Sequence, residues 1–179
     1  MTARLRPALN AADHVLGEPS SGLVLVEFGD YECPFCGRAH QVVQALRQNL
    51  RDRLCYAFRH FPLTELHPHA LLAAEAAEAA AAQGRFWRLH ELLYENQDAL
   101  DAESIVGYAA IAGVDVETFV DDLRTHRFRE RVRADVHSGA ASGVNGTPTF
   151  FINGVRHEGG WDFDSLWRAV TAAEEQPRL

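Results

Sequence analysis

The sequence predicts a single α/β domain in which a βαβ unit and a ββα unit are separated by a block of helices. Three observations carry this prediction. An aliphatic run at residues 23–28 is followed by a segment with helical spacing and then by a second apolar run. Helix-forming residues dominate from about 67 to 125. Near the C-terminus two apolar runs are joined by Asn153-Gly154, a strong β-hairpin signal because both turn positions must tolerate positive φ.

The first half of the domain is predicted from residues 23–58. Residues 23–28 form an uninterrupted apolar stretch apart from Glu27 and are bounded by glycines, which is typical of a strand buried on both faces. Apolar or small residues then recur at helical spacing from 34 to about 50, and Pro34 suits a first helical turn. Residues 54–58 indicate a second short strand. The succession is a βαβ unit with a right-handed crossover.

The remaining elements follow in order. The polar segment 1–22 is expected to be an extended lead-in because glycine, proline and serine interrupt it. In the helical block, Gly84 and Gly113 separate helices that we expect at 70–82, from 86 onward, at 104–113 and at 116–123, with a longer one at 127–141. Strands at 149–152 and 155–157 and a helix from 163 to about 174 complete a four-stranded mixed sheet.

Composition excludes several classes of function. The chain has 179 residues, which suits one domain, 1–179, carrying an insertion. Its 17 basic and 25 acidic residues give a net charge of −8, which argues against a nucleic-acid partner. All the basic residues are arginine, so no lysine is present for a Schiff base or a phosphate-binding loop. We expect a monomer.

The N-terminal residues contain no apolar run of signal-peptide length, and no later stretch reaches the ~20 apolar residues that span a bilayer. The sequence therefore predicts a cytoplasmic protein without membrane insertion. In a reducing compartment, two closely spaced cysteines are typical of a redox-active pair or a metal site.

The pair Cys33 and Cys36 is the main candidate for chemistry. It lies at the end of the predicted buried strand and the start of the helix, with Pro34 and Phe35 between the two thiols. Backbone N–H groups and the helix dipole favour negative charge at a helix start, so Cys33 is expected to be the more acidic, attacking thiol. Cys36, one turn further in, is expected to resolve the mixed disulfide. Such a pair needs no cofactor beyond its own disulfide.

A zinc site is the alternative for these thiols, with His40 or Cys55 as a further ligand. No second pair of ligands stands at a usual spacing, so we expect no metal. Cys55 is interpreted as a packing residue on an apolar strand. A second set of metal-ligand types, His60, His67 and His69, is interpreted as loop and helix-start residues.

Three segments together resemble the DsbA-like branch of the thioredoxin superfamily: 24–28 (Val-Leu-Val-Glu-Phe), 33–36 (Cys-Pro-Phe-Cys) and 146–154 (Gly-Thr-Pro-Thr-Phe-Phe-Ile-Asn-Gly). The resemblance covers nearly the whole chain. It implies a thioredoxin fold with an all-helical insertion and a thiol–disulfide oxidoreductase acting on protein or peptide thiols and disulfides. A further, unidentified redox partner would restore the pair.

The resemblance also assigns residues outside the cysteines. It implies that Thr147-Pro148 is a cis peptide facing the CxxC motif and that the Thr147 backbone pairs with an extended substrate. Pro34 and Phe35 would lie on the substrate side. Glu27 matches the family's buried acid. Burial would raise the pKa of its carboxyl, so that it accepts a proton from Cys36; the alternative is a side chain at the sheet rim.

The sequence departs from the family's strong oxidants at two positions. Phe35 replaces the histidine that often separates the cysteines, and Glu32 lies beside Cys33, where its charge opposes a thiolate. A less oxidising couple is expected, and the direction of electron flow stays open. Two other functions also stay open: a glutathione-linked isomerase or transferase, against which Cys36 counts, and a zinc- or peptide-binding module.

Overall fold

Five β-strands and seven α-helices make up the described chain, residues 3–175, in a computed structural model of the protein. In chain order they are β1 (His14–Leu16), β2 (Leu23–Gly29), α1 (Pro34–Leu50), β3 (Leu54–His60), α2 (Ala70–Ala81), α3 (Phe86–Glu95), α4 (Ala102–Ala112), α5 (Val116–Arg124), α6 (Arg129–Ala141), β4 (Thr149–Ile152), β5 (Val155–Arg156) and α7 (Phe163–Glu174). A 3-10 turn, Arg51–Arg53, connects α1 to β3.

The strands form one sheet in the order β1-β3-β2-β4-β5. The central strand is β2, which is buried along nearly its whole length and pairs antiparallel with β4, placing Glu27 opposite Phe150. β4 and β5 form the predicted hairpin around Asn153-Gly154, both with positive φ. The predicted order of a βαβ unit, a helical insertion and a ββα unit is confirmed.

The expectation of a four-stranded sheet is wrong, because the lead-in 1–22 supplies a fifth strand. β1 pairs antiparallel with β3, with Val15 opposite Ala57. The buried guanidinium of Arg59 holds this segment in place: it binds both carboxylate oxygens of Asp13, at 2.6 and 2.8 Å, and the Pro7 carbonyl at 3.0 Å. A strand of three residues is too short to show an alternating pattern in the sequence. Its position depends instead on this long-range ion pair.

The insertion consists of α2–α6 and therefore extends beyond the predicted 67–125. Capping residues explain two shifted boundaries. Asp101 accepts hydrogen bonds from the N–H groups of Glu103 and Ser104, so α4 begins at Ala102 rather than 104. Gly113, in the left-handed conformation, ends the same helix.

The chain divides into two compact units. One comprises the described parts of Met1–Gly29, Arg38–Arg59 and Ser138–Leu179 and contains the sheet; the other comprises Asp30–Gly37 and His60–His137 and contains most of the inserted helices. Within residues 3–175, no helix is long and apolar enough to cross a membrane.

Loss of the carboxylate that binds Arg59 is expected to destabilise the fold. In Asp13→Ala the guanidinium stays buried without its carboxylate partner, so we expect the free energy of unfolding to fall by about 3 kcal/mol. The other hydrogen bonds of Arg59 remain and limit the loss. Urea denaturation measures this. Glu174→Ala is the control: it breaks an ion pair with Arg53 whose side chains are partly exposed, and such pairs contribute about 0–1 kcal/mol. Equal losses in the two variants would contradict the role given to Arg59.

Candidate redox site

The CxxC motif forms the start of α1. Cys33 stands immediately before the first helical residue, and its carbonyl accepts the Gly37 N–H at 3.1 Å, so it occupies the helix N-cap position. Pro34 follows at the position where its missing N–H costs no hydrogen bond. Cys33 is 2% exposed and Cys36 is 0% exposed, whereas Phe35 between them is 50% exposed. Pro34 and Phe35 are thus the outward-facing residues of the motif.

The Gln97 side chain fixes the backbone of this turn. Its Nε2 donates to the carbonyl of Tyr31 at 2.7 Å and to the carbonyl of Cys33 at 2.9 Å. Gly37 makes room for it, because a Cβ at that position would stand 1.9 Å from Gln97 Oε1. The sequence analysis missed Gln97, since no local pattern links it to a motif 64 residues earlier.

A buried carboxylate organises the segment that precedes Cys33. Asp30 accepts hydrogen bonds from the backbone N–H groups of Glu32 and Leu63, each at 2.8 Å, and pairs with His67 Nδ1 at 2.8 Å. Its own carbonyl accepts the Cys33 N–H at 3.2 Å. Asp30 therefore connects the loop before α1 to the loop after β3.

Glu32 makes a second carboxylate–histidine pair beside the motif. Its Oε2 accepts the backbone N–H of His69 at 2.6 Å, and its Oε1 lies 2.8 Å from His69 Nδ1. The expectation that Glu32 simply opposes a thiolate is therefore incomplete, because part of its charge is engaged by His69. His67 and His69, interpreted from the sequence as loop and helix-start residues, also each pair with a carboxylate beside the motif. The available signal was the matched spacing of two acids, 30 and 32, and two histidines, 67 and 69.

The electrostatics of His67 link it to the motif. Burial lowers the pKa of His67, but its hydrogen bond to Asp30 and the negative charges of Asp30, Cys33 and Glu32 raise it above the ordinary value overall. The positively charged form of the His67 imidazole is therefore favoured.

Aromatic side chains support the same turn from α3. The hydroxyl of Tyr31 and His90 Nδ1 form a hydrogen bond at 2.9 Å, and the rings of Tyr31 and Tyr94 lie with their centroids 4.9 Å apart. Residues 30–33 are thus held by side chains as well as by backbone hydrogen bonds.

The residues assigned outside the motif belong to the unit that contains the sheet. Glu27 on β2 is 1% exposed, and its Oε2 accepts the hydroxyl of Tyr56 at 2.6 Å, so the alternative of a side chain at the solvated rim is wrong. The Thr147–Pro148 bond is cis, and Thr149 Oγ1 donates to the Gly146 carbonyl at 2.7 Å in the same loop. Their proximity to Cys33 and Cys36 stays a prediction.

His40 and Cys55, considered as further zinc ligands, lie in two different environments. His40 Nε2 and Gln44 Nε2 lie 2.9 Å apart on α1, and burial together with the charge of Arg47 lowers the His40 pKa to about 4. Cys55 is buried on β3, where desolvation, followed by the charges of Glu18 and Asp13, raises its thiol pKa. Cys55 is thus a poorly reactive thiol at neutral pH.

The fit between Gly37 and Gln97 predicts opposite effects of one substitution in two backgrounds. Gly37→Ala in the wild type should displace the Gln97 amide and lower the free energy of unfolding by about 1–2 kcal/mol, the value of the hydrogen bonds lost. In a Gln97→Ala background the same change should stabilise by up to about 1 kcal/mol, because alanine is the better helix former. A double-mutant cycle by urea denaturation tests this, and the same sign in both backgrounds would contradict the contact.

Comparison with known proteins identifies the family to which the chain belongs. The model of the family described as "Thioredoxin" matches residues 9–172. Among curated relatives, Na(+)/H(+) antiporter NhaA 1 from Mycobacterium sp. (strain KMS) is 46% identical over 170 residues, covering 94% of this chain and 28% of the relative. The corresponding protein from Salinispora arenicola is 43% identical over 167 residues, covering 93% of this chain and 26% of the relative. The chain therefore spans little more than a quarter of the length of these relatives.

Solved structures match over almost the entire chain. BdbD from Bacillus subtilis has a TM-score of 0.85 at 21% identity, covering 98% of both chains. A thioredoxin-like oxidoreductase from Silicibacter pomeroyi has a TM-score of 0.82 at 27% identity, covering 94% of this chain and 95% of its own. The alpha-DsbA1 protein of Wolbachia pipientis has a TM-score of 0.80 at 20% identity, with 93% and 92% covered. The chain thus has a thioredoxin fold with a helical insertion and belongs to the thioredoxin family.

Proposed function

We propose that the protein is a thiol–disulfide oxidoreductase that exchanges disulfides with protein or peptide thiols through Cys33 and Cys36. The observation that carries the proposal is the placement of two thiols on the first turn of α1, with Cys33 at the N-cap. Backbone N–H groups at a helix start stabilise an adjacent thiolate, and the thiolate is the species that reacts with a disulfide.

The reaction proceeds in two exchanges. In the reducing direction, the Cys33 thiolate attacks one sulfur of a substrate disulfide, whose other sulfur leaves as a thiolate and takes up a proton. Cys36 then loses its proton and attacks Cys33 Sγ. The mixed disulfide breaks, the second substrate thiol is released and the Cys33–Cys36 disulfide forms. Two electrons have passed to the substrate, and the same steps in reverse oxidise a substrate dithiol.

Three further residues receive roles in this proposal. Glu27, whose burial disfavours its charged form, would accept the Cys36 proton during the second exchange. The backbone of Thr147, beside the cis bond to Pro148, would pair with an extended substrate segment. Phe35 would contact apolar substrate side chains, since half of its surface is exposed between the two cysteines.

The curated relatives favour a second candidate function. They are named Na(+)/H(+) antiporters, and this chain matches little more than a quarter of their length. The protein would then act as the redox module of such a transporter, with a transporter thiol as its partner. If this is so, mixed-disulfide trapping in cells should capture an antiporter polypeptide rather than a range of soluble proteins.

The three cysteines should behave differently in a trapping experiment. Cys36→Ser should still attack a disulfide substrate but accumulate the mixed disulfide, because the resolving thiol is missing. Cys33→Ser should abolish attack. Cys55→Ser is the control and should leave insulin reduction unchanged, since that thiol is buried and its pKa is raised. Non-reducing electrophoresis and mass spectrometry identify the adducts. Trapping by Cys33→Ser instead would reverse the two roles.

The same variants separate the alternative functions. A glutathione-linked isomerase or transferase would keep its turnover in Cys36→Ser, because it needs one nucleophile. A zinc-binding module would contain stoichiometric zinc when purified without added metal, and would lose it in both Cys33→Ser and Cys36→Ser. Neither result is expected for a dithiol–disulfide enzyme.

Glu27→Gln should slow resolution selectively. Removing a proton acceptor should lower the rate of the second exchange about 100-fold, the usual contribution of general base catalysis, while alkylation of Cys33 proceeds at its normal rate. Stopped-flow measurement of mixed-disulfide decay separates the two steps. Tyr56→Phe is the control: it removes the hydroxyl bound to Glu27 and leaves the carboxyl in place. Equal resolution rates in Glu27→Gln and the wild type across neutral pH would contradict the role.

A further inference from the structure

Two carboxylate–histidine pairs connect the segment before Cys33 to the segment between β3 and α2, outside the CxxC motif itself. Asp30 pairs with His67 and Glu32 pairs with His69, each at 2.8 Å. The Asp30 side chain is fully buried and that of His67 is 18% exposed, whereas that of His69 is 45% exposed. The two pairs are alike in chemistry and differ in how far water screens them.

The hydrogen bonds of Asp30 fix the protonation pattern of His67. An ionised carboxylate only accepts hydrogen bonds, so Nδ1 of His67 carries a proton and donates it to Asp30. The second ring nitrogen, Nε2, is then the atom at which His67 gains or loses its charge. Two backbone N–H groups, those of Glu32 and Leu63, hold the same carboxylate and keep its orientation constant.

The same residue connects the imidazole to the nucleophile. The Asp30 carbonyl accepts the backbone N–H of Cys33, and the Asp30 carboxylate binds the His67 imidazole, so one buried residue holds both the Cys33 backbone and His67. The charged groups around His67 are Asp30, Glu32 and Cys33 on the loop before α1, with His69 paired to Glu32.

We propose that His67, held by Asp30, is a positioning residue whose imidazolium stabilises the thiolate of Cys33. The inference rests on the proposed function and deepens it. His67, on the loop after β3, supplies a positive charge to the site. Phe35, between the two cysteines, is neutral and cannot supply one.

The coupling between the two groups is reciprocal. The negative charge of Cys33 is one of the causes that raise the pKa of His67. Because the interaction energy of two titrating groups belongs to the pair, the cation at His67 lowers the free energy of the thiolate by the same amount. As pH rises through the pKa of His67 this support is lost, so it acts in the acidic and neutral range.

The alkylation rate of Cys33 tests the inference. In a Cys36→Ser, Cys55→Ser background, Cys33 is the only thiol. His67→Asn retains an amide donor near the Nδ1 position, and so the bond to Asp30, but carries no charge. The rate of reaction with iodoacetamide at about pH 6 should fall about tenfold, which corresponds to a rise of one unit in the apparent pKa of Cys33. Above the thiol's pKa the rates should converge.

His69→Asn is the matched control. It should change the rate less than about twofold, because water screens the more exposed pair. His67→Arg provides a second test: a permanent cation should preserve fast alkylation at about pH 6. Identical pH profiles for the background protein and His67→Asn, or a larger effect in His69→Asn, would overturn the inference.

The outcomes also separate this inference from the proposed function. If His67→Asn shifts the alkylation profile while Cys36→Ser traps no substrate, the electrostatic role stands and the oxidoreductase proposal fails. If Cys36→Ser traps a substrate while His67→Asn leaves the profile unchanged, the reverse holds.

Discussion

The buried carboxylate of Asp30 is the interaction on which the reactive turn depends. It is bound by two backbone N–H groups and one imidazole, and its residue also accepts the N–H of Cys33. A buried charge is costly unless its hydrogen-bonding capacity is filled, and these contacts fill it with groups from two separate loops. The requirement to satisfy one carboxylate therefore fixes where α1 begins and where the His67 loop lies.

Charge balance around Cys33 follows from the same arrangement. Considered alone, Asp30 and Glu32 would disfavour a second negative charge on the thiol. His67 offsets them from its pair with the buried Asp30, while the more exposed His69 makes a hydrogen-bonded pair with Glu32. The helix N-terminus adds its own positive potential at Cys33. In the proposed mechanism the Cys33 thiolate therefore depends on this local set of compensating charges rather than on a histidine within the CxxC motif.

The sequence predicted the parts of this arrangement that are local in the chain, and the rest depends on contacts between distant segments. Cys33, Cys36 and the hairpin at Asn153 are local, since each combines a short motif with a neighbouring apolar run. β1 was missed because its partner is β3 and its anchor, Arg59, lies 46 residues from Asp13. Gln97 was missed, and His67 was interpreted only as a loop or helix-start residue, because hydrogen bonds across 64 and 37 residues leave no periodic signal.

A redox titration of the three cysteines tests the central claim most directly. The wild-type protein is equilibrated in a graded series of glutathione buffers, quenched with acid and alkylated, and each thiol is quantified by peptide mass spectrometry. The account predicts one reversible two-electron transition in which Cys33 and Cys36 lose their thiols together while Cys55 stays alkylatable after denaturation. Absence of a reversible disulfide across the series, or a disulfide that includes Cys55, would contradict it.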